Sequence, residues 1–322
     1  MIDIFTHILP PKYRKALEKL ATRRRISLSP VESFQRSTPA LLDINLRLKV
    51  MEEFPDILQV LTVIGPPLEA MANPEDAVDL AKMANDEMAE WVARHPDRFI
   101  AAAALPMNNM DAALKEVDRA INDLKLRGVQ IFTSINDKPL DSQEFLPLYQ
   151  KMAQYDLPIW IHPLKEMTEP DYPGERRSKY GLAAILGWPH ATSMAIMRLA
   201  GSGLMEKYPK IKFITHHDGG TVPYLAGRIQ NSPFKYENLT MPIIDSLRLF
   251  YNDTAVQGTV SNLMCAYAFC GADHMLLGTD FPMVPSDLVR ETIRSVNEMT
   301  IPGVEKKRIF EENARQILKL PI

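Results

Sequence analysis

Short β-rich runs alternate with longer helical stretches along the whole chain, and this alternation constrains the fold more than any other feature. Eight runs are predicted as strands: Ile2–Phe5, Ile57–Ile64, Phe99–Ala104, Gly128–Phe132, Leu157–Ile161, Ile211–Thr215, Leu247–Asn252 and His274–Leu277. Parallel strands need a long crossover, usually a helix, to return the chain to the same edge. Eight strands that alternate with helices therefore predict a (β/α)8 barrel, also called a TIM barrel.

The segments between the strands carry helix signals and differ in length. Asn73 and Pro74, for example, suit the N-cap and the first position of a helix. Two connections are longer than is usual in such a barrel, from Pro10 to about Pro39 after strand one and from Pro163 to His190 after strand five. Because both follow strand ends, we expect them to form lids or walls of a site.

Composition limits the class of protein. The 322 residues are 46% hydrophobic and carry a net charge of -3, which suits one barrel and predicts a single domain over residues 1–322. A nucleic-acid partner would require a basic excess, and no apolar stretch is long enough to span a membrane. Cys265 and Cys270 are too few and too close for a disulfide framework, and the first residues do not resemble a secretion signal. We therefore expect a cytoplasmic protein.

Polar side chains at the carboxyl ends of the strands converge on one mouth in a barrel of this kind. The candidates are His7, His162, His216, His217, Asp253 and Asp280. Four of the seven histidines in the chain belong to this set, and histidine with carboxylate is a ligand set that zinc or manganese accepts. The remaining histidines are predicted to be caps, surface residues or structural residues: His95, His190 and His274.

The motifs resemble the decarboxylase branch of the amidohydrolase superfamily, which includes aminocarboxymuconate semialdehyde, γ-resorcylate and 5-carboxyvanillate decarboxylases. In order, they are "IDIFTHILP", "DINLRLKVME", "LPIWIHP", "FITHHDGGTVPYLAGRI", "FYNDTAV" and "LLGTDFPM". The resemblance covers nearly the whole chain. It implies one divalent metal ion, zinc or manganese, and non-oxidative decarboxylation of an aromatic or unsaturated carboxylic acid, and it implies a homodimer because family members are commonly dimers.

Carried over residue by residue, the resemblance implies three metal ligands, His7, His162 and Asp280. The catalytic histidine of the family stands six residues before the proline of "VPYLAGRI", which matches His217. Strand alternation also predicts that only one of His216 and His217 faces inward. The resemblance makes Arg47 the residue that holds a substrate carboxylate, and it makes Asp280 and His217 the pair that moves the proton.

Phe5 departs from the family pattern, because it stands where the first strand normally offers a histidine or an acid. Phenylalanine cannot bind a metal ion, so we expect Phe5 to wall the site and to stack on an aromatic substrate. Asp3 lies about 6.6 Å deeper along the strand and is not expected to replace the missing ligand. Three ligands suffice for a catalytic metal site. The alternative is a metal-free pocket that acts as a lyase or only binds a ligand.

Two further alternatives remain open at this point. The same superfamily performs metal-dependent hydrolysis or hydration, and one barrel supports many reactions. A scaffolding role ranks last, because polar groups in the mouth and long loops favour a pocket. A small-molecule carboxylic acid is the expected partner. Trp160 is expected to point into the barrel as core, whereas Trp188 is a candidate for substrate specificity.

Overall fold

A computed structural model describes residues 1–24, 38–236 and 238–320 of the chain. Its strands are β1 (Ile2–Ile8), β2 (Leu58–Val63), β3 (Phe99–Ala101), β4 (Ala103–Ala104), β5 (Val129–Phe132), β6 (Ser134–Ile135), β7 (Lys138–Pro139), β8 (Pro158–His162), β9 (Lys212–Thr215), β10 (Tyr251–Asp253) and β11 (Met275–Leu276). All are short, and all except β6 and β7 run parallel to their neighbours.

Helices separate the strands. The described helices are α1 (Pro11–Arg24), α2 (Ile44–Met51), α3 (Leu68–Met71), α4 (Pro74–Arg94), α5 (Met110–Asn122), α6 (Leu146–Tyr155), α7 (Trp188–Gly201), α8 (Leu204–Lys207), α9 (Val222–Gln230), α10 (Ile243–Leu247), α11 (Val260–Cys270), α12 (Ser286–Glu298), α13 (Gly303–Lys307) and α14 (Asn313–Ile317). Helix α4 begins as its sequence predicts, because the Asn73 side chain accepts a hydrogen bond from Asp76 N at 2.8 Å.

Two parallel sheets together make the barrel wall. One has the order β1-β2-β3, and the other has the order β11-β10-β9-β8-β5-β4. The chain passes directly from β3 into β4, where Ala102 N donates to Leu61 O at 3.0 Å. At the opposite seam, Ile4 N donates to Leu277 O at 2.7 Å. The predicted (β/α)8 fold is confirmed, and the carboxyl ends of its strands meet at one mouth.

The seventh and eighth strands differ from their predicted positions. The prediction Leu247–Asn252 is wrong over its first four residues, because α10 ends at Leu247 and β10 begins only at Tyr251. Residues 248–250 form the turn between them, although a short apolar run of this kind also fits a strand pattern. His274 is outside the eighth strand, in a 3-10 turn (Ala272–His274) that precedes β11.

A hairpin after β5 has no counterpart in the predicted elements. Strands β6 and β7 pair antiparallel around Asn136 and Asp137, whose φ angles are +48° and +62°. Asparagine and aspartate tolerate the left-handed conformation that such a turn requires. The two strands have two residues each, too few for an alternation pattern to reveal them.

The two long connections contain more regular structure than a loop. Helix α1 fills the first part of the first connection, and its Lys12 N donates to Glu87 Oε2 of α4 at 2.8 Å. Residues 25–37 lie outside the described part of the chain. The second connection ends in one π-helical turn (Ala183–Gly187), and α7 begins at Trp188, inside the connection predicted to run to His190.

Apolar side chains fill the lower part of the barrel. Trp160 is fully buried there and its Nε1 donates to Ile4 O at 2.8 Å, which confirms that it is a core residue. This packing closes the bottom of the barrel and leaves the mouth as the place for a site.

Cys265 and Cys270 both lie on α11 as free thiols and are half-buried. Among the described helices, none combines the length and the apolar character that a membrane span requires.

Candidate active site

All six strand-end candidates meet through contacts at the mouth of the barrel. His7 lies inside β1, not after it, and His162 is the last residue of β8. His216 follows β9 directly, and Asp253 ends β10. Asp280 lies on the segment after β11, and its Oδ1 is 3.1 Å from Nε2 of His7 and 3.4 Å from Nε2 of His216.

In His7, His162 and His216, a contact at one ring nitrogen fixes the orientation of the ring. Nδ1 of His162 donates to the carbonyl of Pro163 at 2.7 Å, and Nδ1 of His216 lies against the Asp253 carboxylate. Nδ1 of His7 is 3.1 Å from Oγ1 of Thr62. Acceptors at Nδ1 place the ring proton there and leave the lone pair on Nε2.

The hydroxyl of Thr62 decides which nitrogen of His7 carries the proton. Thr62 Oγ1 donates its own proton to the carbonyl of Thr6 at 2.9 Å. The oxygen therefore accepts from Nδ1 of His7, so Nε2 of His7 is the nitrogen with a free lone pair. A ligand nitrogen from each of His7, His162 and His216 lies within 4.8 Å of the other two.

The expectation that only one of His216 and His217 faces inward is wrong. Strand β9 ends at Thr215, and His217 has a left-handed backbone with φ +57°, so the alternation of a strand does not continue through the pair. The two rings stack with centroids 3.9 Å apart. The His217 ring is also parallel to Trp188 within 5°, at 6.1 Å. Both histidines therefore line the cavity.

Burial and neighbouring charges separate the pKa values of the paired histidines. Burial acts to lower the pKa of His216, but the Asp253 carboxylate outweighs it and raises this pKa to about 10, so a metal ion that binds Nε2 of His216 would replace a proton there. Burial and then the charge of His216 lower the pKa of His217 to about 3. His217 is therefore a neutral imidazole at physiological pH.

The Asp280 carboxyl is an anion in this environment. Burial alone would raise its pKa, but the neighbouring His216 and His7 rings outweigh that effect and hold the pKa below its ordinary range. Burial lowers the pKa of His162 well below its usual value, with the nearby histidines adding to the effect. His162 is therefore neutral, the protonation state in which a histidine binds a metal ion.

Phe5 lies beneath the cluster and is no part of the cavity lining. Its side chain is fully buried and stacks on His216, with centroids 4.0 Å apart and planes 22° apart. The expectation that Phe5 walls the site and stacks on a substrate is not met by this position, because the ring face already packs on a histidine. Phe5 therefore supports the His216 ring from below.

Arg47 is placed behind β1, away from the cavity. It is fully buried, its Nη1 donates to the backbone carbonyl of His7 at 2.6 Å and its Nε donates to Gln59 Oε1 at 2.9 Å. The structure thus corrects the expected contact between Arg47 and a substrate carboxylate. Asp3 is also buried away from the cluster, where it accepts hydrogen bonds from Thr279.

A cavity of about 190 Å³ opens above the cluster. Its walls are mostly apolar and include Ile64, Pro66, Met71, Phe132, Leu164, Trp188 and Met283. The second long connection lines it from Pro163 to Thr168, as expected. The described part of the first connection does not, because α1 packs outside the barrel on α4. Residues of the turn after β2, among them Ile64 and Pro66, line the cavity instead.

A second cavity of about 620 Å³ adjoins the first. It shares Trp188, His217 and Asp280 with the first cavity and is more polar, with Asp218, Gln257 and Asn262 in its lining. His217 therefore faces two spaces, one apolar and one open to polar groups.

The remaining histidines lie apart from the site. His95 caps the C-terminus of α4, as expected. His190 is exposed in the first turn of α7, and His274 packs its ring on Tyr251 at 4.8 Å.

Three participants had no assigned role in the sequence: His216, Asp253 and Thr62. Two of them, His216 and Asp253, were candidates as strand-end residues, and the structure adds their pairing, because Asn252 pairs with Thr215 in the register of β10 and β9. The next residues in both strands, Asp253 and His216, are thus neighbours. No sequence signal marks Thr62, which is one of several threonines in strands.

Comparison with known proteins decides the family. The amidohydrolase family model matches residues 2–320. The chain belongs to the amidohydrolase family. Among the relatives of this amidohydrolase, a γ-resorcylate decarboxylase from Polaromonas sp. is 32% identical, with 87% of this chain and 89% of that protein covered. A 2-amino-3-carboxymuconate-6-semialdehyde decarboxylase from Dictyostelium discoideum is 29% identical, with 99% and 91% covered.

Solved structures agree with this family over the whole chain. A dihydroxybenzoic acid decarboxylase from Polaromonas sp., with bound manganese and the inhibitor 2-nitroresorcinol, superposes with a TM-score of 0.80 at 26% identity, covering 99% of this chain and 96% of that one. A 2,6-dihydroxybenzoate decarboxylase in complex with 2,6-dihydroxybenzoate gives a TM-score of 0.82 at 26% identity, covering 99% and 98%. The predicted membership in the decarboxylase branch is confirmed.

The donor set of this amidohydrolase fits a divalent metal ion. Nε2 of His216 is buried and has no hydrogen-bonding partner among the described residues. The Asp280 carboxylate lies beside two of the free Nε2 atoms. Three imidazole nitrogens and one carboxylate oxygen are a normal ligand set for manganese or zinc.

Proposed function

We propose that this amidohydrolase is a metal-dependent, non-oxidative decarboxylase, a carbon–carbon lyase that acts on an aromatic carboxylic acid. The observation that carries this proposal is the convergence of free Nε2 atoms and the Asp280 carboxylate under a small apolar cavity. The cavity is large enough for one aromatic ring, and its walls suit the faces of that ring. The relatives that carry decarboxylase names support the reaction class.

His7, His162, His216 and Asp280 would hold the ion, which we propose to be manganese, with zinc as the second choice. Manganese is favoured because the Polaromonas structure contains it. This set keeps the three predicted ligands and adds His216. The added imidazole makes up for the ligand that is missing at Phe5. When bound, the ion withdraws charge from a carboxylate oxygen or a neighbouring hydroxyl oxygen of the acid.

The reaction requires one proton. The carbon–carbon bond to the carboxylate breaks, carbon dioxide leaves, and the electron pair remains on the ring carbon, which takes up the proton. Asp280 and His217 both reach the cavity and move this proton. As a neutral imidazole, His217 can donate a proton from one nitrogen and accept another proton on the other, and its Nδ1 has no partner among the described residues.

Metal content and carbon dioxide release test this proposal together. Protein purified without chelators or a histidine tag should contain close to one manganese or zinc ion per chain by elemental analysis. The metal-loaded protein should then release carbon dioxide from one or more hydroxybenzoic acids, including 2,6-dihydroxybenzoate. A chain that takes up no manganese or zinc after incubation with either would overturn the proposal.

Variants separate metal binding from catalysis. Asp280→Ala should lose both metal and turnover, whereas His217→Ala should keep the metal and lose most turnover. His190→Ala, which changes an exposed histidine, is the control and should leave both unchanged. Full metal retention in the Asp280→Ala protein would contradict the ligand assignment.

Three properties of the whole molecule belong to the same proposal. The chain forms one domain over residues 1–322, which the family match over residues 2–320 supports. It forms a homodimer through the exposed apolar side chains of Ile185, Leu186 and Met194, which light scattering on a size-exclusion column can test. It is cytoplasmic, where its two free thiols stay reduced.

A further inference from the structure

Among the described residues that line the first cavity, one is a lysine or arginine. This residue is Lys165, on the segment that follows β8. The rest of the lining is mainly apolar, apart from the histidine and aspartate cluster and the exposed residues Glu166 and Thr168 near the opening. Arg47 faces the opposite way, so Lys165 is the basic group outside the histidine cluster that a substrate in this cavity can reach.

The stem of Lys165 is held in place by the turn that precedes α7. A Cβ atom on Gly187 would lie only 2.8 Å from Cγ of Lys165, so the aliphatic stem rests directly on the backbone of that glycine. The indole Nε1 of Trp188 donates to the backbone carbonyl of Lys165 at 3.1 Å. Since Trp188 also stacks on His217, the position of Lys165 is tied to the histidine cluster.

The ammonium group of Lys165 forms an ion pair whose carboxylate a substrate can displace. Nζ of Lys165 lies 2.5 Å from Oε2 of Glu169, on the same segment. The two side chains are 27% and 49% exposed, and an ion pair in contact with water contributes little to stability. Glu169 keeps a second partner without the lysine, because Glu166 N donates to its Oε1 at 3.1 Å.

We propose that Lys165 binds a second acidic group of the substrate, and that this amidohydrolase prefers aromatic acids with two acidic groups on the ring. The inference rests on the proposed decarboxylase function. One carboxylate lies at the histidine cluster, the ring lies between the apolar walls, and the second carboxylate meets Lys165. A second carboxylate without a cation would be poorly tolerated between these walls.

Two ligand pairs and three variants test this assignment. Manganese-loaded protein is titrated with 2-hydroxybenzoate, which has one carboxylate, and with 2-hydroxyterephthalate and 4-hydroxyisophthalate, which have two. Lys165→Met removes the charge and keeps the length of the stem, and Lys165→Arg keeps the charge. Lys179→Met is the matched control, because Lys179 makes the same i,i+4 ion pair, with Glu175, and does not line the cavity.

The expected result is a loss that depends on the second acidic group. Wild-type protein should bind at least one of the two diacids about tenfold more tightly than 2-hydroxybenzoate. Lys165→Met should raise Kd and KM for that diacid about tenfold, with kcat and the binding of 2-hydroxybenzoate within about twofold of wild type. Lys165→Arg should restore most of the preference, and Lys179→Met should behave as wild type.

Other outcomes would overturn the assignment in distinguishable ways. If the protein releases carbon dioxide from these acids but Lys165→Met weakens all three ligands equally, or none, the role of Lys165 is wrong and the decarboxylase function stands. If no acid loses carbon dioxide while the diacid preference still depends on Lys165, the reaction is wrong and the anion site stands. Absence of binding by all three ligands would overturn both.

Discussion

Arg47 supports His7 from behind, through a hydrogen bond of 2.6 Å from its Nη1 to the His7 backbone carbonyl. The same guanidinium donates to Gln59 Oε1 on β2, so it joins the two strands. Arg47 does not line the cavity, so a substrate bound there does not contact it. We therefore assign Arg47 as a positioning residue for His7, one of the proposed metal ligands.

Arg47→Met tests this positioning role. Removing one partner of buried polar interactions typically costs about 2–4 kcal/mol, and we expect the free energy of unfolding in urea to fall by that amount. Manganese affinity and kcat should fall as well, with little change in KM. Arg14→Met, which removes a partly exposed i,i+4 partner of Glu18, is the control. A rise in KM with unchanged stability and metal affinity would instead indicate a substrate-binding arginine.

Asp253 fixes the orientation of His216 through Nδ1, and its replacement should weaken the metal site. Asp253→Asn keeps the size of the side chain and removes the negative charge. Because partners of this kind typically change metal affinity about 10–100-fold, we expect a loss of manganese affinity in that range by calorimetric titration. Asp273→Asn, an exposed acid paired with Arg308, should not change the affinity. An unchanged affinity in Asp253→Asn would show that the charge of Asp253 does not act on the metal site.

Phe5→His tests whether position 5 is part of the cluster. The Phe5 ring centroid lies 5.6 Å from His7 and 6.0 Å from His162, so an imidazole there can add a nitrogen to the ligand set. We expect manganese affinity to rise at least about tenfold. Phe5→Leu, which keeps an apolar side chain, is the control and should show no rise. Equal affinity of the two variants would show that residue 5 does not reach the ion.

The fold was largely predictable because the barrel depends on a repeated pattern. For every strand that ends in a candidate polar residue, the predicted end lies within a few residues of the observed end. Alternating strand and helix signals define those ends. The error at Leu247 arises because a short apolar run fits a strand pattern, whereas these residues end α10 and form the turn before β10. The hairpin around Asn136 was missed because its strands contain too few residues for a period to appear.

The site was predictable as a set of residues and not as a set of contacts. His7, His162, His217 and Asp280 do meet at the mouth. The roles of Arg47 and Phe5 depended on the direction of each side chain, which is set by packing between elements far apart in the sequence. The role of His216 depended on where β9 ends, and a one-residue change in a strand end alters which side chains face inward.

Glu69 is a buried carboxyl outside the metal cluster. It lies in α3 and is 8% exposed, and its Oε1 has no hydrogen-bonding partner among the described residues. Burial raises its pKa to about 7, although a hydrogen bond from its own backbone acts in the opposite direction. The folded protein thus holds the proton at pH values where the unfolded chain has already lost it.

Glu69→Gln should therefore stabilise the protein at alkaline pH and have little effect in acid. A shift of the pKa from 4.5 to about 7 means that the wild type loses about 3 kcal/mol as the pH rises through this window, because the carboxylate is preferred by the unfolded state. The variant cannot ionise, so its free energy of unfolding in urea should exceed that of wild type by about this amount at pH 8 and should match it near pH 4.5. Glu52→Gln changes an exposed glutamate and serves as the control. A difference between Glu69→Gln and wild type that is the same at both pH values would show that folding does not raise the pKa of Glu69.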